Sequence, residues 1–178
     1  MKKTTVLLLS LLLVCSSFFS GCTKPEDGAY TAPVTISEKM AGTWALSPNK
    51  GLLQDDEIAK ANSEPVTEMD LTGQFTFSSF TITFNVDADN KPTGYSVGGT
   101  SPAFFPKTGY WDLDYPYPST QGNASKIYLF SDAAKTTKTA TLEIMNIPGA
   151  DPTLKFKLIR RVKGVAFVSY TYKLSIQK

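Results

Sequence analysis

The sequence contains no histidine and only two cysteines, Cys15 and Cys22. Without histidine the chain has no Ser-His-Asp triad and no Cys-His pair, and it lacks the commonest metal ligand of proteins. A haem iron would have to be ligated by Tyr, Met or Lys, which are less common ligands than His. The pair Gly98-Gly99 fits a turn better than a phosphate-binding loop. We therefore expect a protein that is not an enzyme and that holds neither a metal nor a cofactor.

Long apolar segments are also scarce. The apolar run at residues 6–14 is shorter than the roughly 20 residues that span a bilayer. It follows a basic start and precedes Ser20 and Gly21, which is the arrangement of a secretory signal peptide. These small residues lead directly into Cys22, and the junction resembles the lipobox of bacterial lipoproteins. The resemblance implies removal of residues 1–21 and attachment of acyl chains such as palmitate to Cys22; the alternative is an ordinary signal with a cysteine nearby.

The charge balance gives no sign of a nucleic-acid partner. The chain has 18 basic and 16 acidic residues, and loss of Lys2 and Lys3 with the signal leaves 16 of each. A formally neutral mature chain lacks the excess of cations that neutralises phosphates. Its length of about 157 residues suits a single core, and we expect a monomer that contacts the membrane only through its acyl chains.

Residues 22–35 are predicted to form a flexible tether. They are polar, contain Pro25 and Pro33 and show no hydrophobic periodicity. The pair Glu26-Asp27 resembles the acidic export signal of Bacteroidota surface lipoproteins. That resemblance implies an outer-membrane protein that faces the cell exterior. If the two acidic residues only solvate the linker, the domain could equally face the periplasm.

From residue 36 onward the pattern is that of β-strands. In residues 79–86, Phe80, Ile82 and Phe84 alternate with threonines, which predicts a half-buried strand. Residues 87–92 form a turn cluster, which completes a hairpin with the next strand. Similar patterns occur at residues 43–46, 66–71, 93–97, 109–114, 126–130, 139–147, 154–159 and 169–177. We count eight or nine strands and at most one short helix, over residues 52–61.

Closely spaced strands without helices predict an antiparallel sandwich or a barrel. Gly42-Thr43-Trp44 and Gly109-Tyr110-Trp111 resemble the Gly-x-Trp signature of lipocalin-like (calycin) barrels. The order of motifs over residues 36–178 is similar to that of lipocalin-like Bacteroidota lipoproteins, a family with a domain of unknown function. The resemblance implies an up-and-down barrel whose blocked end is closed by Trp44. Lipocalins proper often carry an arginine on the last strand that packs on this Trp. The last predicted strand here, residues 169–177, has none, but Arg160 or Arg161, one strand earlier, could stack on Trp44.

Two acidic pairs are candidates for chemistry. Asp112 and Asp114 lie two residues apart beside Trp111, whereas glycoside hydrolysis needs carboxylates opposed across a cleft. Asp87 and Asp89 suggest a calcium loop, but the EF-hand pattern fails at the following Lys and Pro. Solvation of a strand face and a hairpin turn are the simpler interpretations.

The most distinctive segment is aromatic and proline-rich and spans residues 101–118. We predict that its rings, with two from neighbouring strands, bind a ligand: Phe84, Tyr95, Phe104, Phe105, Tyr110, Trp111, Tyr115 and Tyr117. One hypothesis is a small apolar ligand in or at the mouth of the barrel. Another is a glycan or protein held on the surface of the loop. In the third interpretation these rings only plug the barrel and fill its core.

Overall fold

A computed structural model of the chain describes residues 28, 31–65, 67–102, 105–119 and 125–177. The predicted signal peptide, the acylation site Cys22 and most of the predicted tether lie outside these residues. All the regular structure of the described residues belongs to one compact unit, Val34–Lys178.

Strands dominate the described residues, with two short helices and one 3₁₀ turn. The helices are α1 (Ile36–Met40) and α2 (Glu57–Ala61), and the 3₁₀ turn spans Phe77–Ser79. The strands in chain order are β1 (Gly42–Leu46), β2 (Leu52–Asp56), β3 (Glu68–Asp70), β4 (Thr81–Val86), β5 (Pro92–Gly98), β6 (Thr108–Leu113), β7 (Lys126–Phe130), β8 (Lys138–Asn146), β9 (Thr153–Val162) and β10 (Val165–Ile176).

Eight of these strands close into an antiparallel barrel. From β4 to β10 each strand pairs with the next, and β1 closes the circle by pairing with both β4 and β10. The inward positions of β4 carry the buried Ile82 and Phe84, while Thr81 and Thr83 are only half-buried. The predicted all-β, up-and-down barrel is confirmed.

The two additional strands arise because two long strands are interrupted at the same level. β1 and β2 both pair with β10, and the chain between them loops out at residues 48–50. The Ser47 N–H donates to the Lys173 carbonyl, and the Lys173 N–H donates to the Gly51 carbonyl. A Cβ on Gly51 would meet the Ser47 carbonyl oxygen at 2.1 Å, so this narrow loop requires glycine. β3 and β4 flank β2 and β1 in the same way, which explains ten strand segments where eight or nine were predicted.

Helix α1 covers one end of the barrel, which we call the closed end. Its Ile36 and Met40 are fully buried, and the Ser37 hydroxyl donates to the Asn90 carbonyl in the β4–β5 turn. Trp44 is 2 % exposed, and its Nε1 donates to the Met40 carbonyl oxygen at 2.8 Å. Trp44 therefore closes this end, as the Gly-x-Trp resemblance implies.

The expectation that Arg160 or Arg161 packs on Trp44 is wrong. Trp44 pairs with Ile176 near the end of β10, whereas Arg160 pairs with Val168. Eight residues of β10 separate these two pairs, about 26 Å at 3.3 Å per residue. Strand β9 carries both arginines to the opposite end, which we call the mouth and which bears residues 99–102 and 105–107 of the segment between β5 and β6.

The prediction of one helix over residues 52–61 is wrong for its first half. Leu52–Asp56 forms β2, because Leu52 is fully buried and the strand pairs with Val168 to Tyr172 of β10. This long-range pairing overrides the local helical preference. Asp56 then starts α2, because its Oδ1 accepts hydrogen bonds from two N–H groups of the first turn at 2.9 Å. Helix α1 was not predicted, although Thr35 caps it and Glu38 lies in its first turn.

Helix α2 is held against β10 by shielded polar contacts. Glu57 Oε1 accepts hydrogen bonds from Ser169 Oγ at 2.6 Å and from Lys157 Nζ at 3.3 Å. The side chains of Glu57 and Lys157 are each 17 % exposed, and Ser169 is fully buried. The Ser169 hydrogen bond and the Lys157 charge hold the pKa of Glu57 below its ordinary value of 4.5.

We expect this contact to make the fold sensitive to acid. Because the folded-state pKa of Glu57 is depressed, its stabilising effect is present above about pH 4.5 and is lost as the pH falls through the folded pKa. Glu57→Gln should therefore reduce the acid dependence of the unfolding free energy, measured by urea denaturation between about pH 3 and pH 7. The exposed Glu64, changed to Gln, is the matched control and should leave that dependence unaltered. Equal acid dependence in the native and Glu57→Gln proteins would contradict this account.

Candidate functional site: a pocket in the barrel wall

The aromatic segment at residues 101–118 does not form one loop. Strand β6 runs through it, so residues 101–102 and 105–107 lie at the mouth and residues 114–118 at the closed end. Tyr115 and Tyr117 are 64 % and 44 % exposed, Tyr110 is half-buried, and Phe105 is buried. Phe104 lies outside the described residues. The predicted binding residues that the structure describes are thus divided between the two ends of the barrel.

Aromatic side chains fill the middle of the barrel. Tyr172 packs against Phe80 and Phe156 with ring centroids 5.1 Å away, and against Phe105 at 5.4 Å. All four rings are at most 3 % exposed, and burial raises the pKa of Tyr172 far above its ordinary value. Phe105 comes from the loop at the mouth, which therefore folds inward. These contacts favour a filled centre over a large internal cavity.

Three more predicted binding residues also belong to the core. Trp111 is fully buried, lies 4.8 Å from the Phe84 ring between centroids, and donates from Nε1 to the Asn85 carbonyl oxygen at 2.8 Å. Tyr95 is buried over Gly109, where a Cβ would meet the Phe130 carbonyl oxygen at 2.2 Å and Tyr95 Cε1 at 3.0 Å. The second Gly-x-Trp motif therefore supports the packing of the barrel.

The barrel wall opens near the mouth, where β8 and β9 separate. Their pairing reaches Leu142 and Leu158 and stops there, although β8 begins at Lys138 and β9 continues to Val162. The Ile144 N–H donates to Ser125 on the β7 side, so by alternation the backbone of Thr141 faces β9. The backbone of Ile159 faces β8 by the same rule. We call this gap the wall slot.

A pocket of about 600 Å³ lies at the wall slot. This volume is within the range of about 300 to 1,000 Å³ that is usual for small-molecule sites. The lining is mostly polar, in contrast to the apolar lining of most ligand pockets. It consists of Lys126, Thr139, Ala140, Thr141, Glu143, Leu158, Ile159, Arg160 and Arg161.

The pocket carries an excess of positive charge, because Lys126, Arg160 and Arg161 face a single carboxylate, Glu143. Tyr170 pairs with Leu158 and Val168 pairs with Arg160, so Arg160 and Tyr170 are diagonal neighbours on β9 and β10; burial raises the pKa of Tyr170, and the charge of Arg160 opposes this rise. Arg161 is exposed and makes no ion pair with any described residue. The lining therefore combines cations with hydroxyl groups.

The acidic pairs considered from sequence serve the fold. Asp112 Oδ2 forms an ion pair with Lys135 Nζ at 2.9 Å, and Asp114 Oδ1 accepts a hydrogen bond from the Lys126 N–H at 2.8 Å. Asp87 Oδ1 accepts from two N–H groups of its own turn at 2.9 Å, as expected for a hairpin turn. The described residues contain no group of three or more His, Cys, Asp or Glu that could hold a metal ion.

Residues 19–175 match a family described as Domain of unknown function (DUF5004). The chain belongs to this family. No curated protein and no solved structure matches it. The match and the closed antiparallel barrel are consistent with a lipocalin-like fold, and such a barrel is compatible with ligand binding. Among the described residues, no helix has the length and apolarity needed to cross a membrane.

The residue patterns of this DUF5004 chain did not predict the pocket. A signal was nevertheless present in β9, where Leu154, Phe156 and Leu158 mark the inward positions. Arg160 continues that series, so a cation occupies a position at which the pattern predicts an apolar residue. Such a break in the alternation near a strand end marks the place where the wall opens.

Proposed function

We propose that this DUF5004 protein is a lipid-anchored, non-catalytic binding protein of the cell envelope that holds a small ligand at the mouth of its barrel. The observation that carries the proposal is the pocket of about 600 Å³ at the wall slot. The rings packed around Tyr172 leave little room deeper inside. The polar lining favours a ligand with a polar part over the wholly apolar ligand expected from the sequence.

The location in the envelope is supported by the sequence. Cys22 follows the small residues Ser20 and Gly21 of a signal peptide, and the acidic Glu26-Asp27 comes shortly after it. We propose acyl anchoring in the outer membrane, with the domain on the exterior side. Absence of histidine from the whole chain and the structural use of Asp112 and Asp114 support a role in binding without catalysis.

A second candidate is a surface module that binds a glycan or a protein. Tyr115 and Tyr117 favour it, because they are exposed at the closed end and adjoin Pro116 and Pro118. Prolines restrict the loop, so the rings are presented at low entropic cost. The aromatic platform is, however, smaller than the eight residues considered from sequence.

Native mass spectrometry of the full-length protein, purified from its own cells, tests the first proposal. We expect a bound mass that is lost in Thr141→Trp, because the larger ring fills the wall slot. Thr108→Trp is the matched control, since Thr108 is an exposed threonine on a strand outside the pocket. Retention of the bound mass by Thr141→Trp would refute the site. Its loss in Tyr115→Ala but not in Thr141→Trp would support the second candidate instead.

A further inference from the structure

We infer that the wall slot recognises an oxyanion, a carboxylate or a phosphate group, carried by a small hydroxylated molecule. The inference rests on the proposed function, to which it adds a chemical class of ligand. It begins with the distribution of arginine. Arg160 and Arg161 are the only two arginines of the chain, and both line this pocket, whereas the other cationic side chains are all lysines.

Arginine is suited to this task in a way that lysine is not. Its planar guanidinium presents a rigid set of N–H donors that matches the two oxygens of a carboxylate or phosphate, while the lysine ammonium acts as a point charge. Solubility or general surface charge would be served equally well by lysine, which the rest of the chain uses. Two arginines at one opening therefore indicate recognition of a planar or tetrahedral anion.

The geometry of β9 brings the two guanidinium groups to the slot from different sides. Adjacent residues of a strand point to opposite faces of the sheet. Arg160 follows the inward series of Phe156 and Leu158 and is a diagonal neighbour of Tyr170 on β10, whereas Arg161 is on the exposed face. An anion in the gap between β8 and β9 would thus have one arginine on each side of the barrel wall.

The remaining lining groups suit the same ligand. By alternation, the N–H groups of Thr141 and Ile159 face the gap and are donors for an oxyanion. The Thr139 hydroxyl donates to the Leu129 carbonyl at 3.1 Å, but the Thr141 hydroxyl has no such bond among the described residues. Thr141 can therefore hydrogen-bond a hydroxyl of the ligand.

The one carboxylate of the pocket does not cancel these charges. Glu143 pairs across the sheet with Lys126 on one side and with Lys157 on the other, so two cationic neighbours flank it. On β9, Arg160 and Arg161 lie three and four residues beyond Lys157 of this row, nearer the mouth. The whole mature chain is formally neutral, with 16 charges of each sign, so the excess of cations is confined to this opening. A small anion would consequently be drawn to the arginine end of the pocket.

Isothermal titration of the full-length protein in detergent, at low salt, tests the inference with three probes. Glucuronate and glucose 6-phosphate carry the two oxyanions on a hydroxylated ring, and glucose is the neutral counterpart. We expect at least one anion to bind about tenfold or more tightly than glucose, and to bind more weakly as salt is added. The comparison between the two anions shows which oxyanion fits better.

Arg161→Gln should weaken binding of that anion about tenfold, because it removes one guanidinium from an exposed position and leaves the fold intact. Arg161→Lys should recover only part of the loss. Lys173→Gln, which removes a charge from an exposed lysine outside the pocket, should change nothing. Equal thermal unfolding temperatures of the native and Arg161→Gln proteins would show that the loss is one of recognition.

Binding of glucose as tight as that of both anions, or full binding by Arg161→Gln, would overturn the inference. So would the absence of binding of both anions at about 10 mM, a concentration at which even a weak specific site is occupied. The proposed function has a separate test, and it is refuted if native mass spectrometry shows that Thr141→Trp retains the co-purified mass. An uncharged co-purified mass lost in Thr141→Trp would leave the function standing and refute only the anion class.

Discussion

Trp111→Ala should unfold at a temperature about 10 °C lower than the native protein. Trp111 is fully buried, packs on Phe84 and bonds to the Asn85 carbonyl, so truncation leaves a cavity and removes a hydrogen bond. Truncation of a buried aromatic ring costs about 3 to 5 kcal/mol, out of a total stability of about 5 to 15 kcal/mol. For a domain of this size each kcal/mol lowers the unfolding temperature by about 2 to 4 °C.

Two further variants separate the causes of this loss. Trp111→Phe keeps most of the ring but removes the Nε1 donor, and we expect it to lose about 1 kcal/mol. Tyr115→Ala changes an aromatic residue that is 64 % exposed, and it should stay within about 0.5 kcal/mol of the native protein. Calorimetry of the three variants measures these differences. Similar unfolding temperatures for Trp111→Ala and Tyr115→Ala would mean that Trp111 is not part of the packed core.

The alternation of apolar and polar residues predicted most of the barrel strands, because it repeats every two residues and is recognisable in a short segment. In β4 and β9 the alternation alone identifies the buried residues Ile82, Phe84 and Phe156, and the observed strands begin and end within a few residues of the predicted ones. The failure at Leu52–Asp56 has a different origin. Its strand exists because β10 lies beside it, and β10 is more than a hundred residues away in the sequence.

The candidate site was less predictable than the fold. An aromatic residue in a loop has the same local signal whether it points outward, as Tyr115 does, or folds inward, as Phe105 does. Only the tertiary structure decides between these, because Phe105 is buried by contacts with Phe80 and Tyr172. The wall slot depends on where β8 and β9 stop pairing, and its one local sign in the sequence is Arg160 in the inward apolar series of β9.

The filled interior of the barrel determines where a ligand can bind. A barrel of eight strands has an interior that side chains can fill or that leaves room for one small ligand. Here four rings take up the centre, so a ligand of several hundred cubic ångströms has to lie at the edge. The separation of β8 from β9 provides that space without removing any ring from the core. Binding at the slot is therefore compatible with a rigid barrel.

Cys22→Ala should move the protein from the membrane fraction to the soluble periplasmic fraction. One acyl chain gives only weak, reversible membrane binding, whereas two or three chains hold a protein almost permanently. If residues 1–21 are removed as proposed, Cys22 is the only cysteine left, and no other thiol can carry the lipid. We expect nearly complete release, measured by fractionation and immunoblotting and by the loss of the acyl mass from the N-terminal peptide. Cys15→Ala is the matched control and should stay anchored, because Cys15 lies within the proposed signal peptide. Persistent membrane attachment of Cys22→Ala would refute the anchor.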